Sequence, residues 1–286
     1  MGLDRRNFLK TMGVAGFTLL AGRSLANENP GDTDIEFKAL LYDATRCIGC
    51  RACETACAEA HGLPEPQDEM VAGVVRKTSE TQRCVINTYN TSIGEVFSRH
   101  QCMHCNEPAC AAACLTQAMY KTKEGPVIWR GDKCMGCRYC MVSCPFDVPK
   151  FEYHSANPKI EKCDMCYDRI KEGKITACAE ICGDALIFGT RRELLAEARK
   201  RIFENPDKYE DFIYGQDVAG GTGSLSLSPV PFEELGFETK LQNTSYPALS
   251  KGFLYSVPSV FVLVPPLLLG IYEANKNKHA KEETNE

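Results

Sequence analysis

The spacing of the cysteines constrains this chain more than any other feature. Sixteen of its 17 cysteines fall into four groups of four, and only Cys84 stands apart. The groups, numbered along the chain, are Cys47/Cys50/Cys53/Cys57, Cys102/Cys105/Cys110/Cys114, Cys134/Cys137/Cys140/Cys144 and Cys163/Cys166/Cys178/Cys182. A disulfide framework distributes its cysteines at loop-sized spacings through a small chain, and an odd total leaves one unpaired. The short, repeated spacings indicate metal ligation instead.

The first and third groups share the spacing C-x2-C-x2-C-x3-C, and the second and fourth groups lengthen only the middle gap. A cysteine at every third residue lets a loop curl around one metal centre, and the fourth cysteine lies about one helical turn further along. This is the spacing of bacterial [4Fe–4S] ferredoxin sites, in which the fourth cysteine binds the partner cluster. Structural zinc prefers two separated C-x2-C pairs, which the fourth group alone would fit. Sixteen ligands, at four per cluster, predict four [4Fe–4S] clusters bound through iron.

Composition and motifs exclude several function classes. The chain has 286 residues, a net charge of −5 and 25% charged residues, so it lacks the basic footprint of a nucleic-acid-binding protein and the composition of a disordered one. The sequence contains no Ser/His/Asp arrangement, phosphate-binding glycine loop or dinucleotide fingerprint. We therefore expect no catalytic residues and no nucleic-acid partner.

The segments between the cysteine groups predict short strands and one capped helix. Residues 118–132 read as a hairpin, and residues 84–89 and 185–189 as strands, the first carrying Cys84 as a buried core thiol. Thr190 opens a capping-box pattern before a helix predicted over 193–203. One face of that helix carries apolar residues that we expect to pack on the core: Leu194, Leu195, Ala198 and Ile202.

The two ends of the chain predict export and membrane anchoring. Residues 1–26 contain Arg5-Arg6 followed by a mildly apolar run, the pattern of a twin-arginine signal peptide, with a small-residue cleavage site ending at Ala26. This route carries folded proteins, so clusters would be inserted before export. Residues 252–272 are 21 residues without a charge, enough at about 1.5 Å per residue to span a bilayer. Lysines in the charged tail 273–286 predict a cytoplasmic C-terminus, which leaves the cluster domain on the periplasmic side.

Several segments carry a resemblance to a known family. They are Leu41–Asp43, Gln101–Cys105, Gly136–Val142, Val148–Lys150 and Ile187–Arg191. With the cysteine groups, they resemble the four-cluster iron–sulfur subunits of respiratory oxidoreductases, such as formate dehydrogenase, dimethyl sulfoxide reductase and polysulfide reductase. Within that family the chain is most similar to the HybA-type subunit of membrane-bound [NiFe] uptake hydrogenases.

The resemblance implies an α+β fold of two intertwined bacterial-ferredoxin-like lobes, in which short β-hairpins and helices surround paired [4Fe–4S] clusters, followed by a C-terminal transmembrane helix. Lobe A would comprise residues 37–101 and 145–190, and lobe B residues 102–144. A helix and an extended linker would occupy residues 191–251.

The resemblance also implies a nested set of ligands for the four clusters. Cluster one would take Cys47, Cys50, Cys53 and Cys182; cluster two Cys57, Cys163, Cys166 and Cys178; cluster three Cys102, Cys105, Cys110 and Cys144; and cluster four Cys114, Cys134, Cys137 and Cys140.

The function implied is electron transfer without substrate turnover. The chain would relay electrons between an exported catalytic subunit, a [NiFe]-hydrogenase oxidising H2, and an integral membrane subunit that reduces quinone. The alternative keeps the clusters and changes the enzyme to a molybdopterin oxidoreductase of the formate dehydrogenase, polysulfide reductase or dimethyl sulfoxide reductase type. A zinc-stabilised interaction protein at the membrane is the alternative from another class.

Four polar residues beside cysteines complete the prediction. His104 precedes Cys105 and is a candidate for a hydrogen bond near a cluster. Lys133, Arg138 and Lys162 also adjoin cysteines, and we expect these three side chains to be solvated at the surface.

Overall fold

The protein is described here from a computed structural model that covers residues 36–283, so the predicted signal peptide lies outside the described residues. Within this range the chain forms nine short strands and seven α-helices. The strands are β1 (Lys38–Asp43), β2 (Cys84–Thr91), β3 (Gly94–Gln101), β4 (Met119–Lys121), β5 (Val127–Trp129), β6 (Lys150–Phe151), β7 (Ile160–Glu161), β8 (Leu186–Thr190) and β9 (Ser224–Leu227). The helices are α1 (Ala52–His61), α2 (Ala109–Ala112), α3 (Tyr139–Val142), α4 (Tyr167–Lys171), α5 (Ala177–Cys182), α6 (Arg191–Glu204) and α7 (Tyr246–Glu283).

A three-stranded sheet with the order β8-β1-β9 forms the centre of the fold. Strand β1 pairs antiparallel with β8 and parallel with β9. Because side chains alternate along a strand, Leu40 packs into one core with Ile86 and Leu186, while Leu41 packs on the opposite face against Leu194 of α6. Both faces of β1 are therefore covered, which explains its continuous apolar run.

Helix α6 begins with the predicted capping box. The Glu193 N–H donates to Thr190 Oγ1 at 3.4 Å, and the Thr190 N–H donates to the Glu193 carboxylate at 3.1 Å. Leu194 and Ala198 are buried against the sheet, with Leu195 and Ile202 packed around them, as predicted. The helix starts at Arg191, two residues earlier than predicted.

The predicted strands and hairpin are present. Residues 84–89 lie in β2, which pairs with β3 as a long antiparallel hairpin. The predicted hairpin at 118–132 contains β4 and β5, and the predicted strand at 185–189 corresponds to β8. The extended segment after α6 contains a strand that the sequence did not reveal. It is β9, with all four of its residues buried beside β1.

Helix α7 contains the predicted transmembrane segment and extends beyond it at both ends. Its apolar part, Tyr246–Glu273, is 28 residues long, has a mean hydropathy of 1.9 and contains no buried residue. The helix continues through Pro258, Pro265 and Pro266. Its length and composition fit a membrane anchor, in which an exposed apolar surface would contact lipid.

Candidate metal centres

The cysteine loops turn through left-handed backbone conformations. In the first group Gly49 and Arg51 have φ angles of 70° and 61°, and in the third group Gly136 and Arg138 have 72° and 60°. Glycine adopts a positive φ without steric cost, and each arginine ends its loop where a helix begins. The shared sequence Cys-x-Gly-Cys-Arg thus curls two separate loops in the same way.

The first three cysteines of the first group face the last cysteine of the fourth. Cys47, Cys50, Cys53 and Cys182 line one cavity of about 250 Å³, which we call site one. Cys53 lies on α1 and Cys182 ends α5, and these two helices pack together. Burial, followed by the charge of Cys47, raises the pKa of Cys182. Two distant segments therefore bring four thiols to one place.

Site two combines the remaining cysteine of the first group with the rest of the fourth. The pKa of Cys57 is raised by a hydrogen bond with Cys84, then by burial, and then by the charges of Cys163 and Cys178. Burial and the charge of Cys178 raise the pKa of Cys166 to about 11. Cys57 and Cys166 thus both respond to the charge of Cys178, and Cys57 also responds to that of Cys163.

Site three joins the second group to the last cysteine of the third group. Burial, followed by the charges of Cys102 and Cys144, raises the pKa of Cys105 to about 12. Burial and the same two thiols raise the pKa of Cys110. Electrostatic effects thus connect four thiols, those of Cys102, Cys105, Cys110 and Cys144.

Site four joins the third group to the last cysteine of the second. Cys114, Cys134, Cys137 and Cys140 line one small cavity beside Trp129. Burial, followed by the charges of the other three thiols, raises the pKa of Cys140 to about 11. We call these four sets of thiols foursomes: shared cavities connect the members of sites one and four, and effects on pKa connect members of sites two and three.

The chemistry of these foursomes suits a metal cluster. No disulfide links any cysteine among residues 36–283. Packed thiols raise one another's pKa because two neighbouring thiolates repel, and bound iron would remove that repulsion and displace the protons. A donor set of four thiolates is that of a [4Fe–4S] cluster, which supplies one-electron transfer when bound.

His104 hydrogen-bonds a cysteine of another group rather than its neighbour in sequence. Its Nδ1 accepts from the Val127 N–H at 2.9 Å, so its Nε2 carries the proton and donates to Cys163 Sγ at 3.5 Å. Burial, reinforced by the charge of Lys162, lowers the pKa of His104 well below its usual value. The imidazole is therefore a neutral donor to a site-two sulfur.

The prediction that Lys162 is solvated at the surface is wrong. Only 3% of this residue is exposed, because its Nζ donates to the carbonyls of Val127 and Cys163. Lys133 and Arg138 are exposed, as predicted, and Arg138 also stacks 4.6 Å over the Phe151 ring. The sequence around Lys162 does not predict this burial, because its hydrogen-bond partner Val127 is distant from it in the sequence.

Two further residues near site two were not predicted to be there. Cys84 is buried, as expected for a core thiol, but its Sγ lies in hydrogen-bonding contact with Cys57 and 3.8 Å from the Cys53 carbonyl oxygen. Arg99 is buried opposite Ile86 in the β2–β3 hairpin and lines the site-one cavity. No spacing pattern signals either position, since both contacts depend on how the hairpin packs on α1.

A buried ion-pair network fixes α1, the helix that carries Cys53 and Cys57. Glu54 accepts from both terminal nitrogens of Arg76 at 2.9 Å and from the Ile86 N–H at 2.5 Å. Burial raises the pKa of Glu54, but its hydrogen bonds with Arg76 and Arg51 outweigh this and lower it. The ionised carboxylate therefore ties α1 to strand β2 beneath the cysteines.

The fold and these sites together define a ferredoxin-like iron–sulfur protein. A family described as a 4Fe-4S dicluster domain matches residues 93–191.

Comparison with whole proteins identifies the family more narrowly. The chain is 44% identical over 300 residues to a protein from Nitratidesulfovibrio vulgaris, covering 99% of this chain and 80% of that protein. It is 32% identical over 314 residues to the hydrogenase-2 operon protein HybA from Escherichia coli O157:H7, covering 94% of each. It is 31% identical over 194 residues to the iron–sulfur subunit of nitrate-inducible formate dehydrogenase from Escherichia coli K12, covering 64% of this chain and 65% of that subunit.

The chain belongs to the HybA family of iron–sulfur subunits. Proteins of this kind transfer electrons within oxidoreductase complexes and are not their catalytic subunits. The predicted electron-transfer role, the [4Fe–4S] type of cofactor and the likeness to HybA are thereby confirmed.

Proposed function

We propose that this chain carries electrons through four [4Fe–4S] clusters between a catalytic subunit and a membrane subunit. The observation that carries the proposal is that cysteines from distant segments line shared cavities and affect one another's pKa. Sites one to four would bind clusters one to four. The ligand sets are those implied by the family resemblance, and the shared cavities and mutual pKa effects support them.

The order of the clusters follows from helices and packing contacts that connect neighbouring sites. Cys53 and Cys57 lie one turn apart on α1, so one helix would hold clusters one and two about 6 Å apart at their ligands. Cys110 lies on α2 and Cys114 follows it two residues after the end of that helix, so this short segment would join clusters three and four. Cys102 and Cys163 pack together beside Val148, which brings sites two and three into contact. The four clusters would therefore form a line in numerical order.

The position of α7 indicates which end of this line faces the membrane. The beginning of α7 borders a large cavity lined by Ala109 of α2 and Val142 of α3, together with Tyr246 and Leu254. Helices α2 and α3 carry ligands of sites three and four. A membrane subunit that reduces quinone would therefore meet cluster four, and the geometry serves electron flow in either direction.

The opposite end of the line offers a surface for the catalytic subunit. Ile48 and Ile181 line site one and are 78% and 58% exposed. Exposed apolar side chains beside a redox centre fit a protein interface. We assign this end to a [NiFe]-hydrogenase, since the whole-chain relative HybA is named for a hydrogenase operon. The second candidate is a molybdopterin enzyme, favoured by the similarity to the formate dehydrogenase subunit.

The proposed location is the periplasmic side of the inner membrane. The twin-arginine pattern supports export after cluster insertion, and the lysines of the tail support a cytoplasmic C-terminus. Helix α7 would anchor the domain.

The test is anaerobic purification of the full chain from gently solubilised membranes. We expect a brown protein with about sixteen iron atoms and as much acid-labile sulfide, paramagnetic signals after reduction, and a co-purifying hydrogenase. A molybdopterin protein in its place would favour the second candidate. A colourless protein with about four zinc atoms and no sulfide would contradict the electron-transfer proposal.

A further inference from the structure

Arg99 is a buried cation without a conventional partner. It lies in β3, is only 5% exposed, and the Nε and Nη1 atoms of its guanidinium have no hydrogen-bond partner. Buried polar groups are ordinarily paired, and an isolated buried charge is among the most unfavourable groups a core can contain. A group that compensates this charge is therefore expected nearby.

Three other buried or half-buried arginines show what compensation by a carboxylate looks like. Arg76 pairs with Glu54, and Arg201 pairs with Asp43 at 2.8 Å. Arg83 likewise pairs with a carboxylate, that of Asp164 at 2.9 Å. Across residues 36–283, by contrast, no ion pair to a carboxylate involves Arg99. The groups whose charges act on its guanidinium are cysteine thiols.

The thiols that interact electrostatically with Arg99 belong to both sites of one pair and to Cys84, which is in neither site. Arg99 lines the site-one cavity, and its charge acts on the thiols of Cys53 and Cys182 there. On the other side it acts on Cys163 of site two, and Cys178 of that site acts on it in turn. Arg99 also lines a second cavity with Val148, a residue that packs against Cys163 of site two. The guanidinium is therefore positioned between sites one and two.

We propose that Arg99 is the fixed counter-charge of clusters one and two and raises the reduction potentials of both. The inference rests on the proposed function. An iron–sulfur cluster with four thiolate ligands is negatively charged and gains one more negative charge when it accepts an electron from a partner subunit. A permanent cation in a region of low dielectric constant stabilises the reduced cluster more than the oxidised one. It also explains why the guanidinium has no carboxylate partner.

The test is a redox titration of the full, cluster-loaded chain followed by electron paramagnetic resonance. Arg99→Met removes the charge and keeps a long side chain, Arg99→Lys keeps the charge, and Arg201→Met removes a buried arginine that has a carboxylate partner. We expect Arg99→Met to reduce the equilibrium constant for reduction at least tenfold at two of the four clusters, a fall of about 59 mV for a one-electron couple. Arg99→Lys should restore most of it, and Arg201→Met should leave all four potentials unchanged.

Unchanged potentials in Arg99→Met, or an equal fall at all four clusters, would overturn the inference. Iron and labile sulfide are measured first, in case Arg99→Met assembles poorly. Selective loss of two clusters in Arg99→Met but not in Arg99→Lys would support charge compensation, and equal loss in both variants would refute it. If the wild-type chain itself lacks iron and sulfide, it is the proposed function that fails.

Discussion

The imidazole Nε2 of His104 donates a hydrogen bond to Cys163 Sγ across 3.5 Å, although the two residues are 59 positions apart in sequence. Each belongs to a different cysteine loop, so the contact joins the segments that form sites two and three. Hydrogen bonds to ligand sulfur raise the potential of an iron–sulfur cluster because they stabilise the added negative charge. This contact gives the first prediction.

Replacing His104 by phenylalanine should lower the potential of the cluster that Cys163 binds. A hydrogen bond contributes about 1 kcal/mol, which corresponds to a fall on the order of 40 mV for a one-electron couple. A redox titration measures the shift. His104→Gln, which can keep a donor, is the control and should shift less. An unchanged potential in His104→Phe would show that the contact does not influence the cluster.

The loop glycines provide a matched pair for testing site one. A Cβ at Gly49 would lie 2.4 Å from the Phe97 ring, whereas at Gly136, with nearly the same φ, it would meet nothing within 4 Å. We expect Gly49→Ala to lose cluster one and about a quarter of the iron, since four clusters share the total. Gly136→Ala, strained only in its backbone, should keep its iron. Iron analysis distinguishes them, and equal loss in both would show that the clash with Phe97 is unimportant.

Cys84 should prove dispensable for cluster binding despite its contact with Cys57. It lies outside the four foursomes, so Cys84→Ala should retain full iron and sulfide, while loss of the buried sulfur lowers the free energy of unfolding by about 1 kcal/mol. Thermal unfolding and iron analysis measure the two effects. Cys57→Ala is the comparison and should lose iron. Loss of a cluster in Cys84→Ala would mean that Cys84 is itself a ligand.

The carboxylate of Glu54 should make stability depend on pH. Its pKa in the folded protein is lowered from 4.5, so its contribution is present above that value and is lost as pH falls through the folded pKa. Glu54→Gln removes that contribution and leaves Arg76 with the half-exposed carboxylate of Asp68 in place of a buried one, which should cost about 3 kcal/mol at neutral pH.

The measurement is the difference in melting temperature between wild type and Glu54→Gln. Since acid damages the clusters of both proteins, this difference isolates the carboxylate. It should be largest at neutral pH and should shrink below about pH 4.5. A difference that stays constant over this range would contradict the assignment of an ionised Glu54.

Truncation after Ser250 should convert the protein from a membrane-bound to a soluble form. It removes most of the apolar helix and keeps Tyr246, whose side chain packs near the core residues Val218 and Phe232. We expect full iron content in the soluble fraction, compared with the intact chain in the membrane fraction. Soluble behaviour of the intact chain would exclude the helix as an anchor.

Local sequence patterns predicted the parts of this protein that depend on neighbouring residues. The capping box at Thr190 and the hairpin at residues 118–132 arise from short-range geometry. The burial of Lys162 and the contact of His104 with Cys163 arise from packing between distant segments, which no spacing reveals. Strand β9 escaped prediction because its Ser-Leu-Ser-Leu sequence alternates as an exposed strand would, yet it is covered on both faces.

Strand β9 also has a mechanical consequence. The segment that leads to helix α7 is not a free linker, because strand β9 within it pairs with β1 in the central sheet. If helix α7 anchors the chain in a bilayer, as proposed, a pull on that helix would load these backbone hydrogen bonds in shear before it reached the cysteines. Strand β9 would thereby limit rotation of the domain relative to the anchor.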